Sequence, residues 1–428
     1  MKFKYYEKSK VTLILWITLF SVVMFSCSED EDLKPDEEEI LPPIELPCNY
    51  FTEDRVLVND PQRPVDYLID CYMNISGSTS INIEPGVVIA FESDAGMRIA
   101  GTTHFEAVGT SSEPIIFTGT SKNKGHWRGL MFYSSNSNNV LQYALIEYAG
   151  GKEFSSSSPV YGGSIAVAHE TAISFDHVTI SKGKSHGMQL TGRASSVATA
   201  NLKIAGNDGV PVQVAAYQAH ILDESSEFYG NSSNFVNIVS DNYEIKETVS
   251  WKKLDVPYLV DSRVHLNNNG HLTIEAGAEV QFKPQGYLQA ASSSNSHNVS
   301  LKIKGTADEP VHLKAHNGSN WGGIYYAFTQ EENVIDHAVI EHAKGDYPVG
   351  NKSNSGAIYM HANPKLQISN TTFKDLPNYA AYAYTGASTS EPELPNFSAS
   401  GNTYINVAKG DADLGYLGWG NGSSNHNP

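Results

Sequence analysis

The sequence predicts an all-β fold, a parallel β-helix in which short strands coil into a solenoid, and three observations support this prediction. The first is an internal duplication, because residues 67–91 and residues 258–282 align without a gap at an offset of 191. The second is a run of short alternating strands separated by turns, with no long helical periodicity after Cys48. The third is the recurrence of Asn-rich corners, at residues 136–139 and 267–269. Coils that stack in register need such corners and small residues, although a β-sandwich is the alternative for short, evenly spaced strands.

The duplication continues beyond these two segments and organises most of the chain. Trp127-Arg128-Gly129 matches Trp321-Gly322-Gly323 at an offset of 194, and Glu147 matches Glu341 at the same offset. We therefore divide the chain into four regions. These are a signal peptide at residues 1–26, an acidic Pro-rich tether at 27–47, a first β-helix half with an N-terminal cap at 48–240, and a second half at 241–428.

Several motifs carry a family resemblance over roughly residues 55–410. They are Ile83-Glu84-Pro85-Gly86 through Phe91, Glu113-Pro114-Ile115-Ile116-Phe117, Trp127-Arg128-Gly129-Leu130, and Asn139 through Gly150. Together they resemble the β-helical surface lipoproteins of Bacteroides-type bacteria, which belong to the pectin-lyase-like class. The resemblance implies a right-handed parallel β-helix. It implies no particular activity, because the family mixes enzymes with proteins of no assigned chemistry.

The N-terminus predicts export and lipid anchoring. Lys2, Lys4, Lys8 and Lys10 precede an uncharged apolar run at residues 11–25, which is short for a membrane span and fits a signal peptide. Ser26-Cys27 then follows as in a bacterial lipobox, so Cys27 is the predicted lipidation site, carrying acyl chains such as palmitate. An ordinary secretory signal with an incidental cysteine is the alternative.

The segment after Cys27 predicts where the protein goes. Residues 28–32, Ser-Glu-Asp-Glu-Asp, resemble the acidic tag that sends such lipoproteins to the outer face of the outer membrane. The acidic, Pro-rich stretch up to Pro47 cannot bury a core and should remain extended. We therefore predict a cell-surface protein that a lipid holds to the outer membrane.

The two remaining cysteines, Cys48 and Cys71, are predicted to form a disulfide in the oxidising compartment outside the cell. Cys71 aligns with Ser262 in the second half, so the repeat itself does not require a thiol at this position. The disulfide would hold the cap over the first coil, whose apolar interior and strand edges are otherwise open. Two free thiols or a metal pair are the alternatives.

Charge narrows the range of partners. The chain has a net charge of −18, and residues 48–428 hold 24 Lys and Arg against 37 Asp and Glu, a net charge of −13. An acidic body disfavours nucleic acid, whose phosphates need a basic surface. Polyuronates stay open as ligands because a basic groove can form locally. The sequence predicts no oligomeric state.

Catalytic candidates form two groups, one in each half. The first is Lys182, Lys184 and His186, in a Lys-Gly-Lys-Ser-His segment that could line a groove or form a solvated turn. The second is Asp336, His337, Glu341 and His342. Asp176-His177 and Asp336-His337 each look like an acid–base pair, but in a straight strand neighbouring side chains point to opposite faces. The same alternation would place Asp336 and His342 on one face, with Ala338 and Ile340 between them.

The sequence favours binding over catalysis. No Asp-Asp pair is present, and the acids shared by both halves are too far apart along the axis to act together. We predict no cofactor and no metal site, whereas a lyase on this fold would use Ca²⁺. Candidates for ligand contact are Trp127, Arg128, Tyr148 and Trp321, because aromatic rings offer apolar area to sugars and proteins. The predicted function is non-catalytic binding of a glycan or a host surface protein. An atypical polysaccharide lyase or glycoside hydrolase and an architectural surface protein are the alternatives.

Overall fold

The computed structural model describes the body of the chain from Ile40 onward. The described residues are 40–155, 160–193, 196–239, 244–290, 298–347, 355–384 and 396–409, with the backbone of two further strands, Leu414–Gly418 and Asn421–His426. The predicted signal peptide, Cys27 and the acidic tag lie outside this range. No helix among the described residues is long and apolar enough to cross a membrane.

Among the described residues, strands dominate both halves, with 19 up to Val239 and 19 from Thr248 onward. The strands of the first half are Ile44–Glu45 (β1), Arg55–Leu57 (β2), Tyr67–Ile69 (β3), Tyr72–Gly77 (β4), Ser80–Ile83 (β5), Val88–Phe91 (β6), Gly96–Gly101 (β7), His104–Val108 (β8), Ile115–Gly119 (β9), Gly129–Ser134 (β10), Val140–Glu147 (β11), Ile165–Val167 (β12), Ala172–Ser181 (β13), Met188–Leu190 (β14), Ser196–Ala200 (β15), Lys203–Ala205 (β16), Val212–Ala215 (β17), Glu227–Tyr229 (β18) and Val236–Val239 (β19).

The second half repeats the same kind of element. Its strands are Thr248–Trp251 (β20), Tyr258–Val260 (β21), Arg263–Leu266 (β22), His271–Glu275 (β23), Glu279–Phe282 (β24), Tyr287–Ala290 (β25), Ser300–Lys304 (β26), Val311–Ala315 (β27), Gly323–Ala327 (β28), Asn333–Asp336 (β29), Ala338–Glu341 (β30), Gly356–His361 (β31), Leu366–Ser369 (β32), Thr372–Leu376 (β33), Tyr379–Tyr384 (β34), Phe397–Ser400 (β35), Thr403–Val407 (β36), Leu414–Gly418 (β37) and Asn421–His426 (β38). The described helices are short 3₁₀ segments, Tyr50–Thr52, Ala216–Ile221 and His316–Gly318.

The strands stack into four sheets, and the parallel β-helix prediction is confirmed. Sheet I has 12 strands, including β11 and β13; sheet II has 13; sheet III has six, from β20 to β35; and sheet IV has seven, from β22 to β38. All named strand pairs are parallel except β37 with β38. Each strand pairs with the strand one coil away, so the interior is a thin column of inward side chains.

The two halves form one continuous solenoid, because sheet II runs without a break from β4 to β36 through β17, β19 and β21. The duplicated sides do not line up, however. By the offset of 191, β3 and β4 correspond to β21 and β22. Sheet II contains β4 in the first half but β21 in the second, while β22 begins sheet IV. The second half is therefore shifted by one side around the axis.

Buried asparagines link the coils, and one of them lies in the corner predicted at residues 136–139. The Asn139 side chain accepts a hydrogen bond from Phe105 N at 2.8 Å and donates to Ala172 O at 2.9 Å. Its counterpart Asn333 accepts from Leu301 N and donates to Lys365 O, each at 2.8 Å. Both side chains link three successive coils, which satisfies backbone groups that the turns would otherwise leave unpaired.

The cap and the disulfide are present at the N-terminal end. Cys48 and Cys71 are bonded, with their Cα atoms 6.0 Å apart. Phe51 and Leu46 are buried beside the first coil. The body also starts earlier than predicted, because Ile44–Glu45 pairs with β3. Residues 40–47 therefore belong to the solenoid rather than to an extended tether.

Candidate functional site

A polar groove of about 470 Å³ lies on the outer face of sheet II in the first half. One wall is the segment after β11, at residues 150–153 and 160–163; the other is the turn formed by residues 184–186, between β13 and β14. The floor carries Gln189 of β14 and Gln213 of β17, which are register partners on adjacent strands. The groove is thus built on rigid strands, with its walls supplied by turns of neighbouring coils.

Close backbone contact shapes the rim of the groove. A Cβ atom on Gly151 would lie 2.0 Å from the carbonyl oxygen of Gly125, so only glycine fits there. The Lys184 stem packs against Gly125 on the adjoining turn. Three successive turns therefore stack closely, and the packed stem places Lys184 at the edge of the groove.

Gln189 fastens the wall to the floor. Its Oε1 accepts a hydrogen bond from Gly162 N at 2.5 Å, and its Nε2 donates to Val160 O at 3.0 Å. Arg128 secures the same segment from the other side, donating to Glu153 O at 2.8 Å while its guanidinium stacks 4.4 Å from the Tyr72 ring centre. Arg128, a predicted ligand contact, thus holds the wall in place.

Two polar side chains in the groove remain available to a ligand. Across the described part of the chain, Lys184 makes no ion pair and the Gln213 amide makes no hydrogen bond to another residue. The neighbouring Lys182 and Lys124 are both paired, with Glu147 at 2.9 Å and Asp208 at 2.6 Å. Available donors on a preformed surface favour a polar ligand.

His186 lies in the wall with its ring held by one hydrogen bond. Its Nδ1 accepts from Val210 N at 3.3 Å. Gly209 makes room for the ring, because a Cβ there would lie 2.7 Å from Nδ1. Burial lowers the pKa of His186, since removing the ring from water disfavours its charged form.

The structure separates the predicted Lys182, Lys184 and His186 cluster. Lys184 and His186 line the groove, but Lys182 turns to the nearly buried carboxylate of Glu147, which Thr118 also contacts at 3.0 Å. The hydrogen bond with that carboxylate raises the pKa of Lys182. The Tyr148 ring, a predicted ligand contact, lies 5.0 Å from the same ammonium group.

The two tryptophans are interior residues and cannot contact a ligand in solution, which corrects their place among the ligand-contact candidates. Trp127 and Trp321 are both 0% exposed. Each stacks on a phenylalanine, Phe91 at 4.1 Å and Phe282 at 3.9 Å between ring centres. Each Nε1 donates to the carbonyl of the matching glutamate, Glu147 at 2.8 Å and Glu341 at 2.7 Å.

The expectation of straight strands at the Asp-His pairs was wrong. His177 and His337 adopt left-handed backbone conformations, with φ of 52° and 48°, so the chain bends at each histidine. The bend brings each imidazole to its own aspartate. The distance from Nδ1 to the carboxylate is 2.8 Å at Asp176 and 3.1 Å at Asp336.

An asparagine of the next coil completes each of these corners. Asn201 donates to Asp176 at 2.9 Å, and Asn370 donates to Asp336 at 3.0 Å. Burial by itself would raise the pKa of Asp176, but the hydrogen bonds from Asn201 and His177 outweigh it and lower the pKa. The recurrence of the same arrangement at two corners indicates a structural role.

The second-half candidates do not form one site. Asp336 and His337 lie at the corner before β30, whereas Glu341 and His342 lie at its far end. The bend at His337 also removes the shared face that alternation predicted for Asp336 and His342. Glu341 instead accepts a hydrogen bond from Lys374 at 2.6 Å.

The described residues bring three metal-binding side chains together only at Cys48, Asp70 and Cys71. The disulfide removes both thiolates from this set.

Gln189 and Gln213, which form the floor of the groove, were not predicted from the sequence.

Comparisons with protein-family models, with curated proteins and with solved structures found no match to this chain.

Proposed function

We propose that this protein is a lipid-anchored, cell-surface β-helix that binds a glycan in the first-half groove without cleaving it. One observation carries the proposal. Lys184 and Gln213 both line the groove and offer donors to a ligand, while hydrogen bonds of Gln189 already fix the floor to the wall. Sugars present many hydroxyl groups, and a preformed set of donors binds them at low entropic cost.

The surface around the groove favours a glycan over a host protein. Of the exposed large apolar side chains among the described residues, only Val160 lines the groove. Protein–protein interfaces usually have an apolar or aromatic centre with a polar rim. The groove has no such centre, because amides of Gln189 and Gln213 lie on its floor and the polar side chains of Lys184 and Ser185 belong to its wall.

A glycan array with the soluble body tests this proposal. Wild type should bind a restricted set of glycans, and Lys184→Ala and Gln213→Ala should each weaken binding about fivefold to tenfold, the effect of one or two hydrogen bonds. Lys304→Ala and Gln367→Ala are matched controls, because both side chains are exposed on sheet III. Binding that the groove variants leave unchanged would contradict the assignment of the site, and retention of host proteins without any glycan would contradict the ligand class.

Enzymatic cleavage is the second candidate function, and one observation favours it. Glu153, Lys184 and His186 all line the groove, so an acid and two bases share one surface. A lyase or hydrolase would lose turnover in both His186→Ala and Glu153→Gln. Assays of reducing sugars and unsaturated uronates, with and without Ca²⁺, should show no product if the protein only binds.

The anchoring proposal rests on the N-terminal sequence and the predicted lipobox. Cys27→Ala should abolish palmitate labelling and release the protein in soluble form. Replacing Glu29, Asp30, Glu31 and Asp32 with Ala should leave the protein lipidated but facing the periplasm, protected from protease added to intact cells. Unchanged membrane fractionation of the first variant, or continued cleavage of the second, would contradict the respective step.

A further inference from the structure

The ring of His186 differs from the other polar groups of the groove because its tautomer is fixed. Val210 N–H donates to Nδ1 at 3.3 Å, so this nitrogen must carry the lone pair. A neutral imidazole then carries its proton on Nε2. Burial, which lowers the pKa of the ring, keeps it in this neutral form.

The surrounding backbone leaves the ring little freedom. Gly209 N donates to Ser185 O at 3.1 Å, and Gly187 N donates to Val210 O at 3.1 Å, so the two turns on either side of the ring are tied together. Any side chain at position 209 would collide with the ring at Nδ1. Such close support orients a polar group before a ligand arrives.

The remaining ring nitrogen, Nε2, has no hydrogen-bond partner in the part of the chain that the structure describes. Among the described residues, the only hydrogen bond of the His186 side chain is the one at Nδ1, and the ring lines the groove. A partly exposed N–H group of known direction can distinguish a ligand that places an acceptor there from one that does not.

We propose that His186 is the specificity-determining residue of the groove, donating one directed hydrogen bond from Nε2–H to a hydroxyl or ring oxygen of the bound sugar. This inference rests on the proposed glycan binding and adds to it a defined donor and a defined tautomer. The turn at residues 184–186 would then contribute both a cation, Lys184, and a fixed neutral donor, His186, to one wall.

Two substitutions separate the two nitrogens of the ring. His186→Asn keeps an acceptor close to the position of Nδ1 but removes the groove donor, whereas His186→Gln keeps a donor close to Nε2 and gives up the bond to Val210. We expect the Asn variant to lose about tenfold in affinity for a glycan that the array identifies, the effect of one hydrogen bond. The Gln variant should bind within about twofold of wild type and melt at a lower temperature.

A deoxy-sugar series identifies the accepting oxygen. For the one derivative that lacks this oxygen, wild type and His186→Asn should bind equally. His312→Ala serves as the control, because this half-buried histidine lies on sheet II away from the groove. Equal affinity of the Asn variant and wild type for the complete glycan would overturn the proposal while leaving glycan binding intact.

Ring-nitrogen NMR of the free protein tests the tautomer without any ligand. The His186 signal, assigned by its loss in His186→Gln, should show Nε2–H and an unprotonated Nδ1 at neutral pH. A signal from the opposite tautomer would also overturn the proposal. Absence of glycan binding by wild type would instead reject the proposed function itself, so the two failures are distinguishable.

Discussion

The duplicated outer faces of the two halves differ in how far an apolar cluster covers them, because in the first half only a small cluster around Met131, Ala166 and Tyr161 is buried there. In the first half this face carries Met131, Ala166 and Gln189, and beyond Gln189 the polar groove opens. At the equivalent positions, by offsets of 194 and 193, the second half carries Tyr325, Tyr359 and Tyr382. These three tyrosines are register partners on β28, β31 and β34.

The tyrosines form a second, smaller core on the outside of sheet IV. Their exposed fractions are 7%, 2% and 0%, and Tyr347 packs among them. Burial raises the pKa of Tyr325 to about 12, because the charged phenolate is disfavoured where little water reaches the ring. Duplication thus preserved the inward rungs, which both halves need for stability, while the outward residues were free to diverge into a groove or a sealed cluster.

The interior tryptophans provide the strongest test of what the two halves share. Trp127→Ala and Trp321→Ala should each lower the free energy of unfolding by about 3–5 kcal/mol, because each removes a fully buried ring and its hydrogen bond. Urea unfolding, monitored by circular dichroism, measures both values. A cost below about 1 kcal/mol in one half only would show that the two rungs are not equivalent.

The disulfide tests a feature that the first half alone possesses. Cys48→Ser with Cys71→Ser should lower the free energy of unfolding by about 3 kcal/mol, because the bond closes a loop with a sequence separation of 23. The second half has Ser262 at the position equivalent to Cys71 and therefore lacks this disulfide. Two reactive thiols in the unfolded, unreduced protein would show that the bond does not form in solution.

Gln189 and Tyr382 occupy equivalent positions, and we expect substitutions there to have opposite signs. Gln189→Ala should destabilise the protein by about 1–2 kcal/mol and weaken glycan binding, since it removes the two hydrogen bonds that hold the groove wall. Tyr382→Phe should be neutral or slightly stabilising, because the buried hydroxyl has no hydrogen-bond partner among the described residues. Thermal unfolding of the pair measures the difference, and a marked loss of stability in Tyr382→Phe would reveal a partner for that hydroxyl.

Much of the fold could be predicted from the sequence, because the repetition of motifs and the alternation of apolar and polar residues directly indicate a β-solenoid. The duplication, the corner asparagine Asn139 and the Cys48–Cys71 bond all follow from spacing, composition or compartment. The bends at His177 and His337 could not be predicted, because the alternation of side chains between two faces assumes an extended backbone. A single left-handed residue leaves no trace in the pattern of apolar side chains.

The sequence predicted only part of the groove, for a related reason. Lys184 and His186 were predicted as candidates because they are charged or titratable. Gln189 and Gln213 were not, because they occupy outward positions of two strands, where a polar residue is ordinary. Their separation of 24 residues equals one coil at this point of the solenoid, as the register of β14 with β17 shows. A local coil length read from the sequence would have placed the two amides side by side. The one-side shift between halves had no such signal, because it arises where β17, β19 and β21 join.

Lowering the pH should produce the smallest effect on the free energy of unfolding. One histidine on each of the two outer faces contributes to it. Burial lowers the pKa of His186 beside the groove and of His361 beside the tyrosine cluster. Below the usual imidazole pKa of about 6.5 the unfolded chain binds protons that the folded protein does not, so stability should fall as the pH decreases from there. Each histidine contributes at most about 1.4 kcal/mol per pH unit until its lowered pKa is reached. Urea unfolding between pH 7.5 and 5 measures the slope, and His186→Gln and His361→Gln should each remove part of it. Because the proposed glycan site lies in the first half only, His186→Gln alone should also flatten the pH dependence of glycan affinity, and an equal change in His361→Gln would contradict the assignment of binding to one face.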